Sequence, residues 1–147
     1  MKAPETTPFL QQFRGSFVSM LRWPQLDSLW ETLRTQSDKR WYVYAIGEAA
    51  PQQPLDAAQL DTFISEVDGL LRRDHPEDYC GIVYVDQPQD PRFIKIYDPH
   101  NLGVVCGFSD NPPLPGWVLS LTPPSDLQQA MPPSGARRRW WQRLFSG

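Results

Sequence analysis

The chain has 147 residues, 16 of them proline, and carries a formal charge of −3 from 14 basic and 17 acidic side chains, with only two cysteines. This length suits one domain with a real core and excludes a barrel or two-domain enzyme, while the cysteine count excludes a disulfide-stapled scaffold. No apolar run approaches the roughly 18 residues of a membrane span, and Met1-Lys2-Ala3-Pro4-Glu5-Thr6 lacks a charged-then-apolar leader pattern, so a cytoplasmic address is the expectation.

Thr7 and Pro8 open the first helix, a capping hydroxyl followed by proline in the first turn. Phe9, Leu10, Phe13, Phe17, Met20 and Leu21 fall on one helical face, which extends this helix to about Leu21. Pro24 interrupts the run and opens a second helix, with Leu26, Leu29, Trp30 and Leu33 at i, i+3, i+4 and i+7. Trp41 to Ile46 is aromatic and β-branched, a strand. The next helix has the clearest signature in the chain. Asp56 is its N-cap, Gln59 completes a capping box, and Leu55 and Leu60 form a hydrophobic staple. Its apolar stripe is Leu60, Phe63, Ile64, Val67, Leu70 and Leu71, with Arg72 and Arg73 at the end where the helix dipole favours cations.

Cys80 to Asp86 and Phe93 to Asp98 read as two strands joined by a short, turn-rich connection, hence a hairpin. The first of them is apolar on both faces, which predicts a central, doubly covered position. Val104 to Phe108 and Trp117 to Leu121 are weaker strand candidates. Pro123, Pro124, Pro132, Pro133, Ser134 and Gly135 mark a linker. The expected architecture is an α+β domain, a mostly antiparallel sheet of four to five strands with two to three packed helices. It spans residues 1–126. A linker and a flexible basic aromatic tail occupy 127–147.

The charge divides at the same place. All 17 acidic residues lie at or before Asp126 with ten of the 14 basic ones, leaving that part at −7 and the last 21 residues at +4. An acidic body repels phosphates and argues against nucleic-acid binding by the body as a whole, the tail being a separate matter. The tail contains Arg137, Arg138, Arg139, Trp140, Trp141, Arg143, Leu144 and Phe145. As a helix its aromatic and leucine side chains share a face opposite Arg138, Arg139 and Arg143, and at about 16 Å it is too short to cross a membrane. Tryptophan with arginine suits a protein groove, an anionic membrane surface, single-stranded nucleic acid by stacking and charge, or a fold-back onto the acidic body. The leading expectation is a non-catalytic accessory or adaptor protein, without cofactor, that binds a protein partner or an anionic surface through these residues.

A second reading rests on the histidines and cysteines. All four, His75, Cys80, His100 and Cys106, fall in one window. They are zinc ligand types, although the tight two-residue knuckle is absent. Cys80 or Cys106 with His100 and Asp98 is the alternative thiol-enzyme arrangement, because thiolate is the reactive species and Asp98 and His100 share a side of an extended segment. Asp74, Glu77 and Asp78, and Glu48, Asp86 and Asp90, are solvated acidic ends without calcium-loop spacing.

Overall fold

The computed structural model describes residues 7–36, 38–100, 114–127 and 135–145. The elements run α1 (Pro8–Phe13), β1 (Val18–Ser19), α2 (Trp23–Thr35), β2 (Tyr42–Ala45), α3 (Ala57–Asp74), β3 (Val83–Val85), β4 (Phe93–Ile96), β5 (Trp117–Ser120) and α4 (Gly135–Phe145). The five strands form one sheet in the order β1-β3-β4-β5-β2. Every pairing is antiparallel. The protein is therefore α+β.

Period-two alternation gives the sheet two apolar faces. Val43, Val83, Val85, Ile94, Ile96, Trp117 and Leu119 join the stripes of α2 and α3 in the larger core. Tyr44, Phe93 and Val118 point to the other face, where Phe9 of α1 joins them. Phe93 anchors that side, with ring centroids 5.2 Å from Phe9, 6.2 Å from Phe13 and 5.7 Å from Phe17. The Lys95 ammonium lies over the same two outer rings, 4.1 Å from the Phe13 centroid and 4.2 Å from that of Phe17.

Local chemistry sets the helix ends. The Asp56 carboxylate accepts the Gln59 N–H at 2.8 Å, and the Gln59 amide oxygen accepts the Asp56 N–H at 3.0 Å. The Thr7 hydroxyl accepts the Leu10 N–H at 3.1 Å. The chain remains tied to the body beyond the last strand. Leu127 donates its N–H to the Tyr44 hydroxyl at 3.1 Å, and Asp126 accepts the Ala50 N–H at 2.8 Å.

Two expectations need correction. The first helix stops at Phe13, and Phe17, Met20 and Leu21 leave its face because the chain becomes a sheet edge. Met20 donates to the Val83 carbonyl at 2.7 Å, and Cys80 and Gly81 donate back to the Leu21 and Met20 carbonyls. Gly81 makes that return at a φ of +71°, where side chains are disfavoured. The second concerns β3. It is next to the edge, with β4 in the middle, because the two-residue β1 supplies the outer strand. Val104–Phe108, Cys106 and the linker residues 128–134 lie outside the described residues.

Removal of the Phe93 ring empties the meeting point of three aromatic side chains and a buried strand. Phe93→Ala is expected to cost about 3–5 kcal/mol, against about 1 kcal/mol for loss of the α3 cap in Asp56→Ala. Urea unfolding of both variants checks the ranking.

Candidate functional site: an arginine slot beneath the C-terminal helix

The described chemistry converges where β4, α3 and α4 meet. Asp98 follows β4, Asp74 is the last residue of α3, and Arg137 lies in the first turn of α4. Gly116 stands just before β5, and a Cβ there would come within 3.1 Å of the Asp98 Cβ. The missing side chain lets Asp98 lie flat against the sheet end. Gly116 also donates its N–H to the Ile96 carbonyl at 2.8 Å, which fixes this approach.

Arg137 reaches into the slot as a fork. Its Nε donates to Asp98 Oδ2 at 2.8 Å, and its Nη2 donates to Asp98 Oδ1 at 3.1 Å and to Asp74 Oδ2 at 2.8 Å. This is the planar, two-oxygen match that a guanidinium makes and an ammonium cannot. The three side chains are 5% (Asp98), 10% (Arg137) and 13% (Asp74) exposed, so the charges meet largely out of water. Asp98 Oδ1 also accepts the His100 backbone N–H at 2.9 Å, and His100 Nε2 lies 3.1 Å from Asp74 Oδ2.

Electrostatics follow from the contacts. The Arg73 guanidinium, bonded to Asp74 at 2.9 Å, is the main influence holding that carboxyl well below its usual range, with Arg137 adding to it against the effect of burial. For Arg137, burial opposes the charge, but hydrogen bonds to Asp98 and then Asp74 outweigh it and raise its pKa.

An aromatic wall adjoins the ion pairs. Trp140, 7% exposed, meets Trp117 of β5 at 5.4 Å and Phe63 of α3 at 6.4 Å between centroids. Trp141 meets Phe63 at 6.1 Å, and Leu144 is partly buried against the same core. Arg138, Arg139 and Arg143 are exposed on the helix, and Arg138 Nε donates to Glu48 Oε1 at 2.9 Å. The structure thus divides the tail residues named from the sequence. Arg137, Trp140, Trp141 and Leu144 face the body, Arg139 and Arg143 are exposed, and Arg138, also exposed, is tied to Glu48 of the body. The Phe145 side chain lies outside the description.

The histidine and cysteine residues are placed differently. His75 Nε2 lies 3.0 Å from the Cys80 carbonyl oxygen, so the ring meets backbone rather than thiol. Cys80 is buried, and burial is the main reason its thiol is pushed up, which disfavours the reactive thiolate. Both Asp98 oxygens are engaged by Arg137, which leaves Asp98 orienting an arginine rather than an imidazole. Among the described residues no three His, Cys, Asp or Glu side chains are grouped to hold a metal ion.

No helix among the described residues is long and apolar enough to cross a membrane. Comparison of the chain with protein-family models, with curated proteins and with solved structures gives no match.

The sequence left Arg137 on neither helix face, and Asp98 entered only as an orienter of His100. The available signal was the spacing Arg137-x-x-Trp140. It stacks both residues on one side of a helix, beside a body with surplus carboxylates.

Two outcomes test this arrangement. Asp74 has a lowered carboxyl pKa, so its contribution is present above the unfolded value of about 4 and is lost as pH falls below it. Acid titration followed by circular dichroism should show stability falling through that range, with a shallower fall in Asp74→Asn. Arg137→Ala leaves Asp98 buried without a countercharge, a change that costs about 3–5 kcal/mol when the charge stays dry. Undocking of α4 rehydrates Asp98 and caps the loss. Hydrogen exchange should therefore report deprotected amides in residues 137–145 and retained protection in β4.

Proposed function

We propose that this protein is a non-catalytic interaction module that binds an acidic protein partner through the outward arginine face of α4. The observation that carries this reading is the division of labour on one helix. Arg137 and Trp140 fasten it to the body, with Arg138 bonded to Glu48, while Arg139 and Arg143 are exposed on a helix without a single acidic residue. Arginine presented on a rigid element suits recognition of carboxylates, since the planar fork loses little freedom on each bond it makes. Packing of α4 on the core removes most of the disorder cost that a free tail would meet on binding.

The same placement weakens the membrane reading. Surface binding by a short basic helix depends on indoles seated among the headgroups. Here Trp140 is spent on Phe63 and Trp117.

The test uses poly-glutamate as the acidic probe and phosphatidylglycerol vesicles as the anionic surface. The wild-type chain should bind poly-glutamate and release it as salt rises. Arg139→Glu should weaken binding roughly tenfold or more, about 1.4 kcal/mol, with an unchanged unfolding midpoint. Equal binding by the charge-reversed variant, or binding confined to vesicles, would refute the reading.

A further inference from the structure

We propose that the slot beneath α4 is itself a binding site for a basic, tryptophan-bearing helix of a protein partner, and that α4 is its resident occupant. The inference rests on the inward face of the helix and is independent of the outward arginines.

The occupant defines what the slot recognises. The specification is an arginine at i, tryptophan at i+3, an aromatic at i+4 and leucine at i+7, as in Arg137, Trp140, Trp141 and Leu144. These positions lie along one helix face. The arginine answers two carboxylates, Asp98 and Asp74, at 2.8 Å each. The first tryptophan fills the angle between Phe63 and Trp117. Arg73 is bonded to Asp74 and not to Asp98, so without a guanidinium in the slot the His100 N–H is what Asp98 keeps among the described residues. The demand is for a planar, two-oxygen donor, which excludes lysine and selects arginine.

The balance of forces permits exchange. A largely buried ion pair loses in desolvation much of what it gains in attraction, so it selects a partner more than it adds affinity. The apolar hold comes from Trp140, Trp141 and Leu144. An 11-residue helix is also too short to persist alone in water, so α4 must form its helix in order to dock. A partner that carries the same pattern within a longer, already formed helix avoids that ordering cost. It can thereby offset the effective-concentration advantage of the tethered α4.

The experiment uses the full chain with a protease site introduced between Leu127 and Gly135. A fluorescent peptide of residues 135–147 is the probe. After cleavage, the labelled peptide should replace α4 and bind roughly tenfold or more tightly than it binds the uncut chain. Peptides with Arg137→Ala or Trp140→Ala, and a cut chain with Asp98→Asn, should lose that binding. A peptide with Arg139→Glu should retain it, which separates the slot from the outward face. The proposal fails if cleavage releases α4 without uptake of the probe, if α4 cannot be exchanged, or if the Arg137→Ala peptide binds equally well. A stable dimer that trades α4 between copies would assign the slot to a second copy and overturn the partner reading.

Discussion

A sheet that is apolar on both faces cannot leave either side to water, and the placement of every helix follows from that constraint. Alternation sends Phe93 to one side of β4 and Ile94 and Ile96 to the other, all three buried. The side with Ile94 and Ile96 takes α2 and α3, whose stripes are wide enough to cover most of it. Among the described residues the helix on the opposite side is the six-residue α1, and phenylalanines make up the deficit. Phe9, Phe13 and Phe17 converge on Phe93, and Lys95 lays its stem and ammonium over the last two rings.

Covering the first face creates the electrostatic problem at the slot. Trp117 begins β5 and Phe63 lies on α3, and Trp140 closes over both. The same helix then dries Asp98, which sits at the end of β4 against Gly116. A buried carboxylate without a countercharge would be expelled or protonated. Arg137, one turn before Trp140, supplies that countercharge. The ion pair therefore contributes register more than net stability. Sliding α4 by one residue would move the guanidinium off Asp98 while the tryptophan could still find an apolar contact.

Much of this was legible in the sequence because it is local. The α3 cap, staple and stripe are set by residues three and four apart, and Asp56, Gln59 and Leu60 behave as that spacing requires. The hairpin of β3 and β4 was legible for the same reason. What local reasoning misassigned depended on distant partners. Phe17 and Met20 have helical spacing, yet Met20 bonds to Val83, more than sixty residues away, and a sheet edge overrode the periodicity. The slot was illegible on the same ground. Asp74, Asp98 and Arg137 belong to three separate elements, and only their folding together gives Asp98 a reason to be charged and dry. Gln36 Oε1 and Trp41 Nε1 are buried and show no partner among the described residues, and nothing in the structure accounts for them.

The two binding modes proposed for α4 are thermodynamically linked. A ligand of the outward arginines binds the docked helix, so its binding energy adds to the hold of Arg137 and Trp140. A ligand of the slot requires α4 to leave, so it opposes that hold. Reciprocity then makes the two antagonistic: each lowers the affinity of the chain for the other by the same factor. The size of that factor is bounded by the docking free energy of α4. That energy comes from three partly or wholly buried apolar side chains and an ion pair close to break-even, reduced by the cost of forming the helix. The smaller that docking energy, the more binding on one side shifts occupancy on the other.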